Sequence, residues 1–281
     1  MNDEPLEIGV FRDFVRRSLA EDLSWGDSTT QAVVPPEARA EGALVMRAAG
    51  VVAGLDVALE AFRQLDPTVT VAADRHDGDR CAAGDRLAVV TGLAAPMLTA
   101  ERTALNIVRH LSGIATLTRA YVDAAGGRAV IADTRKTLPL LRTLQKYAVR
   151  TGGGENGRFA LDEGVILKAS HIRLAGGITA AVRRASAAHP DTPIQVEAGN
   201  AAEAEEAVAA GAGVILFTGT STDDAAAVVR LCRGRTRLEA SGRIDLDRLA
   251  ALVAAGVDFV SIGALTDSAP AADIDFDVRS L

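Results

Sequence analysis

From residue 129 to residue 264, short apolar runs alternate with segments of helical periodicity. The six runs read, in order, AVIADT, GVILK, PIQVEA, GVILFTG, RLEASG and FVSIGA. Apolar strands that alternate with helices are typical of a parallel sheet with both faces covered. The pattern therefore predicts an α/β fold with a TIM-like α/β barrel, although six strands fall short of the usual eight. We expect the intervening helices at about 138–150, 174–188, 201–210, 222–232 and 245–255.

The N-terminal part of the chain has a different pattern. Residues 6–21 carry apolar residues at helical spacing, and Asp27 or Ser28 could cap a short helix after them. Residues 40–98 contain short strands with Asp-Gly and Gly-Asp turns and one helix, LDVALEAFRQL. Residues 99–125 predict one long helix, or two that join near Ser112-Gly113.

These patterns predict two domains. Residues 1–125 form an N-terminal α+β domain that includes the long helix, and residues 126–269 form the α/β barrel. The tail, residues 270–281, alternates apolar and acidic residues, so it could be a strand that returns to the sheet of the first domain.

Composition limits the classes of function. The net charge is −7 and the pI about 5.2, which argues against general binding of nucleic acid or of a membrane surface. The only cysteines, Cys81 and Cys232, lie far apart, so a disulfide framework or a zinc site is not expected. The acidic N-terminus lacks the apolar segment of a signal peptide, and no apolar run approaches the ~18 residues of a membrane span. We therefore expect a cytoplasmic protein.

The residues at the ends of the predicted barrel strands have a distinctive charge pattern. Cations follow the first two strands, and Arg158 lies in the Gly-rich stretch between them. Glu197 ends the third strand and could hold Mg²⁺. The candidate residues are, in chain order, Arg135, Lys136, Arg158, Lys168, Glu197, Thr218, Ser241, Gly242, Gly263 and Ala264. Ligands of such barrels bind where the strands end, and small residues at the last two strands let backbone N–H groups approach a phosphate. The pattern predicts a phosphorylated, polyanionic substrate.

Several motifs resemble those of the quinolinate phosphoribosyltransferase family, the carboxylating nicotinate-nucleotide pyrophosphorylases. The barrel motifs are TRKT (134–137), KYAV (146–149), the triple glycine (152–154), Asn156, Arg158-Phe159, Lys168, His171-Ile172, EASG (239–242) and GALT (263–266). The N-terminal motifs are Glu21-Asp22, Gly26-Asp27, Thr29-Thr30 and ERTALN (101–106). The resemblance covers almost the whole chain and implies a sandwich-like N-terminal α+β domain followed by an open six-stranded α/β barrel.

The resemblance also implies an activity and roles for individual residues. The family transfers a phosphoribosyl group from phosphoribosyl pyrophosphate to the ring nitrogen of quinolinate, with decarboxylation, in NAD biosynthesis. The residues expected at the dicarboxylate are Arg102, Arg135, Arg158 and Lys168, with Lys136 and His171 nearby. The expected catalytic residues are Lys136, Lys168 and Glu197. Glu197 would help to bind Mg²⁺ and ribose, with Thr218 at the neighbouring strand end, and the backbone around Ser241-Gly242 and Gly263-Ala264 would bind phosphate. The resemblance further implies a homodimer or larger oligomer in which Arg102 reaches the site of another subunit.

The chain departs from the family pattern at several positions on the expected rim. The departing residues are Gly157, Ala169, Ser170, Thr218, Gly219, Arg243 and Asp267. Gly157 stands where the family has a histidine, and we interpret this change as one that opens space and removes a polar contact. Three alternatives to the family reaction remain at this point: a paralogue that uses another heteroaromatic acid, a non-catalytic binding relative, and an unrelated barrel enzyme that acts on sugar phosphates. Of the four histidines, His171 matches a family position, and a hydrogen-bonded structural role is favoured for it over proton transfer.

Overall fold

The structure is a computed structural model that describes residues 6–219 and 222–281, without the side chain of Thr222. The helices are α1 (Ile8–Leu23), α2 (Ser28–Val33), α3 (Leu55–Leu65), α4 (Ala94–Ala125), α5 (Arg142–Thr151), α6 (Ala169–Ala175), α7 (Ile178–Ala188), α8 (Ala201–Ala209), α9 (Thr222–Cys232), α10 (Leu246–Ala255) and α11 (Ala264–Asp267). The strands are β1 (Arg39–Met46), β2 (Gly50–Val51), β3 (Thr70–Ala73), β4 (Arg80–Cys81), β5 (Arg86–Leu93), β6 (Val130–Ala132), β7 (Val165–Leu167), β8 (Ile194–Ala198), β9 (Val214–Phe217), β10 (Arg237–Gly242), β11 (Phe259–Ile262) and β12 (Ile274–Ser280).

The chain divides into two compact units. The first contains the described residues up to 119, together with residues 143–153 and 269–281. The second contains residues 120–142 and 154–268. Most of α5 thus groups with the N-terminal residues, although it follows the first strand of the parallel sheet in the chain.

The first unit is built on an antiparallel sheet with the strand order β12-β1-β5-β3. The C-terminal strand pairs with β1 from Ala40 opposite Ser280 to Met46 opposite Ile274. Its Phe276 ring covers Gly42, where any added Cβ would overlap the ring, and its centroid lies 5.1 Å from that of Phe62 on α3. The alternation of apolar and acidic residues in the tail therefore belongs to a strand with one buried face.

The second unit contains the predicted parallel sheet. All six strands are paired in parallel, in the order β6-β11-β10-β9-β8-β7, so the prediction of a six-stranded α/β sheet is confirmed. The first and second strands of the unit, β6 and β7, are the two edges, and beyond β6 the backbone of Ala132 bridges to Glu155. Because the strands are parallel, their carboxyl ends meet along one rim.

Local structure differs from the sequence prediction in two helices. The helix expected at about 174–188 is two helices, because Gly176 and Gly177 adopt φ values of +86° and +123° between α6 and α7. The helix expected at about 138–150 begins only at Arg142, after a turn in which Leu140 has a φ of +66°. Neither break is visible in apolar periodicity.

Two other local expectations are confirmed. The segment 99–125 lies in a single helix, α4, and it stays unbroken at Gly113, where the carbonyl group of Pro270 occupies the place of a Cβ. Asp27 caps α2, since its carboxylate accepts a hydrogen bond from the backbone N–H of Thr30 at 2.9 Å. Among the described residues, no helix has both the length and the apolar character that crossing a membrane requires.

Candidate active site

The loop after β6 brings Lys136 against Gly263, which follows β11. The carbonyl oxygen of Lys136 accepts a hydrogen bond from the hydroxyl of Thr266 at 2.7 Å, and its backbone N–H donates to the hydroxyl of Thr134 at 3.0 Å. A Cβ added at Gly263 would lie 2.8 Å from Cδ of Lys136. Neighbouring parallel strands β6 and β11 thus place two of the predicted site residues side by side, and the glycine leaves room for the lysine stem.

Asp133, at the end of β6, holds the segment that follows the triple glycine. Its side chain is buried and accepts hydrogen bonds from Nδ2 of Asn156 at 2.6 Å and from the backbone N–H of Gly157 at 2.9 Å. The backbone N–H of Asp133 donates to the carbonyl oxygen of Glu155 at 3.0 Å. Sequence reasoning did not single out this aspartate; its position directly between an apolar strand and the TRKT motif was the available signal.

The interpretation that Gly157 opens space is wrong. A Cβ added at Gly157 would lie 2.7 Å from the carbonyl oxygen of Asp133, so the backbone of Asp133 already fills the volume next to this glycine. Gly219, a second departure, has the same feature, since its added Cβ would lie 2.6 Å from the carbonyl oxygen of Gly199. A residue with a side chain at either position requires a shift of the backbone.

Arg135 and Arg158 each present a guanidinium group that is incompletely satisfied. The Nε atoms of both arginines are buried, and among residues 6–219 and 222–281 they have no hydrogen-bond partner. Arg158 donates from Nη1 to the carbonyl oxygen of Gly164 at 2.9 Å. Burial, and after it the positive charge of Arg135, lower the pKa of the Arg158 guanidinium. Buried donors without partners and repulsion between like charges are both relieved by a bound anion.

Glu197, at the end of β8, links the ends of the two neighbouring strands. Its Oε2 accepts a hydrogen bond from the backbone N–H of Ala169, after β7, at 3.3 Å. Its Oε1 accepts from the hydroxyl of Thr218, after β9, at 3.4 Å. The structure therefore brings Glu197 and Thr218 together, and both bonds are long enough for the carboxylate to exchange them for a stronger partner.

Lys168 and His171 lie at the start of α6 and are exposed. Nδ1 of His171 accepts a hydrogen bond from the backbone N–H of Lys168 at 3.0 Å, one turn earlier. In this contact Nδ1 is the unprotonated nitrogen of the ring. The imidazole thus supports the helix start that carries Lys168.

The ends of β10 and β11 contribute mainly backbone. Ser241 and Gly242 lie in register with Ser261 and Ile262, and the Ser241 hydroxyl donates to the carbonyl oxygen of Ser261 at 3.4 Å. Gly242 has a φ of +141°, which favours glycine. Ala264 begins the short helix α11 directly after Gly263. Behind this rim, Gln195 donates to the carboxylate of Glu239 at 2.6 Å, a pair that sequence reasoning did not find.

The donor set for a divalent cation is small. Within residues 6–219 and 222–281, no cluster of three or more His, Cys, Asp or Glu side chains could hold a metal ion. Mg²⁺ is commonly held by one or two carboxylates together with substrate phosphates and water, and Glu197 could supply the carboxylate of such a site. The residues therefore fit a cation that arrives with a phosphorylated substrate rather than one held by the protein alone.

Arg102 belongs to the first unit. It lies on α4, and its side chain is exposed.

Comparison with known proteins decides the family. A model of the N-terminal domain of quinolinate phosphoribosyl transferase matches residues 27–112, and a model of the C-terminal domain matches residues 114–277. The chain belongs to the quinolinate phosphoribosyl transferase family. It is 42% identical to the nicotinate-nucleotide pyrophosphorylase [carboxylating] of Mycobacterium leprae, over 97% of this chain and 98% of that relative.

Further members of the family agree over nearly the whole chain. The probable nicotinate-nucleotide pyrophosphorylase [carboxylating] of Bacillus subtilis is 40% identical over 92% of this chain and 90% of that relative. The crystal structure of NadC from Streptococcus pyogenes superimposes with a TM-score of 0.93 at 38% identity, and it covers 99% of this chain and 100% of that one. The resemblance found in the motifs is therefore confirmed, and so is the fold class.

Proposed function

We propose that the protein transfers a phosphoribosyl group from phosphoribosyl pyrophosphate to the ring nitrogen of quinolinate and releases pyrophosphate and CO₂, which yields nicotinate mononucleotide for NAD biosynthesis. It would then be a pentosyltransferase of the carboxylating nicotinate-nucleotide pyrophosphorylase type. The names of its relatives at 40–42% identity support this reaction. The observation that carries the proposal in the structure is that the buried Nε atoms of Arg135 and Arg158 have no hydrogen-bond partner in the described part of the chain.

The arginine pair suits a substrate with two adjacent carboxylates. A guanidinium group binds a carboxylate through two parallel hydrogen bonds, and such bonds are about twice as strong when both partners are charged. We assign Arg135 and Arg158 to the carboxylates of quinolinate, together with Lys168 and His171 after the end of β7. Binding of the dianion would satisfy both Nε atoms and place negative charge beside Arg158, whose pKa is lowered by burial and, after it, by the positive charge of Arg135.

The other side of the rim suits phosphoribosyl pyrophosphate. Backbone N–H groups around Ser241-Gly242 and Gly263-Ala264 are assigned to phosphate, and Lys136, which lies against Gly263, to its charge. Glu197, with Thr218 beside it, is assigned to the ribose hydroxyls and to Mg²⁺. When bound, the cation neutralises charge on the pyrophosphate leaving group.

The reaction needs charge stabilisation and no covalent nucleophile on the protein. The lone pair of the ring nitrogen forms a bond to C1 of the ribose while the bond from C1 to the pyrophosphate oxygen breaks. The carboxylate of Glu197 would stabilise the positive charge that develops on the ribose, and Lys136 the negative charge on the leaving group. Loss of the 2-carboxylate as CO₂ sends its electron pair into the cationic ring, and C2 then takes up a proton. Lys168 would hold the carboxylate until that step.

Assembly and location complete the proposal. We propose a homodimer or larger oligomer in which the exposed Arg102 of one subunit reaches the site of another, where it would bind a substrate carboxylate. We also propose that the protein is cytoplasmic, since quinolinate and phosphoribosyl pyrophosphate are small soluble metabolites.

The test is pyrophosphate release with phosphoribosyl pyrophosphate, Mg²⁺ and quinolinate, with CO₂ measured in parallel. We expect both products in equal amounts, and neither without quinolinate. Pyrophosphate release with a different heteroaromatic acid but not with quinolinate would mean that the acceptor substrate is that acid and not quinolinate. Binding of both substrates without any product would indicate a non-catalytic relative.

A further inference from the structure

We propose that Arg142 is a positioning residue for the substrate carboxylates, because its guanidinium group joins the two loops that carry Arg135 and Arg158. This inference rests on the proposed function, and it concerns a side chain outside the predicted site. Arg142 is the first residue of α5, where apolar periodicity indicates only a helix start.

The guanidinium group of Arg142 uses all three of its nitrogens in hydrogen bonds. Nε donates to the hydroxyl of Thr137 at 3.0 Å, and Nη1 donates to the carbonyl oxygen of Phe159 at 2.9 Å. Nη2 donates to the carbonyl oxygen of Arg135 at 3.5 Å, the longest of the three bonds. One planar group thus connects the loop after β6 with the loop before β7, which are the edge strands of the sheet.

The acceptors of these hydrogen bonds lie at or next to Arg135 and Arg158, whose side-chain directions determine how the substrate carboxylates are bound. One acceptor is the backbone of Arg135 itself, and another is the residue that follows Arg158. Among the described residues, the Nε atoms of Arg135 and Arg158 have no hydrogen-bond partner, so the direction of each guanidinium group depends on the backbone that carries it and, for Arg158, also on the bond from Nη1 to Gly164. Arg142 fixes that backbone on both loops at once.

The chemistry explains why this residue is an arginine. A guanidinium group holds its donors in a rigid planar fork, so three acceptors on two loops are kept at fixed relative positions. A lysine would carry the same charge on one rotatable nitrogen and could not hold the same three acceptors. We therefore expect that a positive charge alone at position 142 does not keep Arg135 and Arg158 in position.

The experiment compares Arg142→Met and Arg142→Lys with wild-type protein. It measures kcat, KM for quinolinate, KM for phosphoribosyl pyrophosphate, Tm, and the Kd of phthalate, a dicarboxylate without a ring nitrogen. We expect Arg142→Met to raise KM for quinolinate and the Kd of phthalate about tenfold, since small misplacement of binding groups has effects of that order or more. KM for phosphoribosyl pyrophosphate should stay within about twofold. Arg142→Lys should show most of the same loss.

A pair of variants at Thr137 tests the connection from its other side. Thr137→Val removes the hydroxyl acceptor and keeps the shape, and it should raise KM for quinolinate about threefold, as expected for one lost hydrogen bond. Thr137→Ser keeps the hydroxyl and should return KM toward the wild-type value. The matched control is Arg235→Met, which removes an arginine that pairs with Glu205 on the exposed surface and should change neither KM.

The outcomes separate this inference from the proposed function. Equal increases in both KM values together with a lower Tm would mean that Arg142 only stabilises the fold, and an unchanged KM for quinolinate would also overturn the inference. If wild-type protein makes no product but binds phthalate, the proposed reaction fails while a weaker Kd in Arg142→Met still supports the positioning role. If wild-type protein neither reacts nor binds phthalate, both proposals are overturned.

Discussion

The two sides of the barrel rim are built in different ways. On the β6–β7 side, side chains are important: Asp133 fixes the segment 155–157, and within the described residues the buried Nε atoms of Arg135 and Arg158 have no hydrogen-bond partner. On the β10–β11 side, the site consists mainly of backbone and small residues, with Gly242 at a φ of +141°. The first side is suited to a flat dicarboxylate with defined directions of approach, and the second to a phosphate that accepts hydrogen bonds from many directions. A substitution on one side should therefore change the kinetic constants for one substrate and leave those for the other nearly unchanged.

The largest effect is expected from Arg158→Met. The substitution removes the half-buried guanidinium group that is assigned to one carboxylate of quinolinate and keeps Arg135 in place. We expect kcat/KM for quinolinate to fall by about 10²- to 10³-fold, since removing one partner of a buried, hydrogen-bonded pair of opposite charges, here an arginine and a substrate carboxylate, costs about 2–5 kcal/mol. KM for phosphoribosyl pyrophosphate should change little. Steady-state kinetics with each substrate varied in turn measures this effect. Equal losses of kcat/KM for both substrates would contradict the assignment of the two substrates to different sides of the rim.

The next effect is expected from Asp133→Ala. The substitution leaves the donors of Asn156 and Gly157 without their buried acceptor, which costs about 1–3 kcal/mol in the free energy of unfolding. We expect a lower midpoint in urea unfolding and a higher KM for quinolinate. Asn156→Ala is the control, since it removes one of these donors and keeps the carboxylate with Gly157. If Asp133→Ala were as stable as wild type, the β6–β7 side would not depend on side-chain contacts in the way described.

A smaller effect is expected from Gly263→Ala, at the end of β11. The new methyl group would lie 2.8 Å from Cδ of Lys136, so the lysine stem has to move. Because a lysine stem is flexible, we expect KM for phosphoribosyl pyrophosphate to rise only about three- to tenfold, in line with a modest misplacement. The Kd of phthalate should not change, and a weaker Kd would show that the two sides are coupled.

The smallest effect is expected from Ser241→Ala. Its hydroxyl makes one long hydrogen bond, at 3.4 Å, to the carbonyl oxygen of Ser261, and the proposed phosphate contact uses backbone N–H groups. We expect kcat/KM to change less than about twofold, as for most substitutions that remove no strong interaction. A tenfold loss of kcat/KM in the same assay would mean that side chains bind phosphate on the β10–β11 side as well. That result would contradict the difference described between the two sides of the rim.

Much of the fold could be predicted because it depends on local pattern. Six apolar runs separated by helical segments predict a parallel sheet, and the alternation in the tail indicates a strand with one buried face. The helix breaks at Leu140 and at Gly176-Gly177 were missed, because turns with positive φ depend on the backbone conformation of a few residues and interrupt no apolar periodicity.

The candidate site likewise has features that the sequence predicted and features that it did not. Charges placed directly after strands predicted which residues lie on the rim, since parallel strands end together. The sequence could not show that Gly157 and Gly219 are packed against carbonyl oxygens, so the interpretation of Gly157 as open space was wrong. It also could not show the contacts of Asp133 or of Arg142, because both side chains join segments that meet only in the folded protein.

By itself, the sequence determined the family, the six-stranded parallel sheet and the positions of the charged residues along it, because periodicity and short motifs are properties of neighbouring residues. Only the tertiary structure decided which buried donors lack partners, which glycines touch backbone, and which arginine joins two loops. These features depend on distances between atoms of different segments, such as Arg142 and the carbonyl oxygen of Phe159, which are 17 residues apart in the chain and meet only in the folded protein.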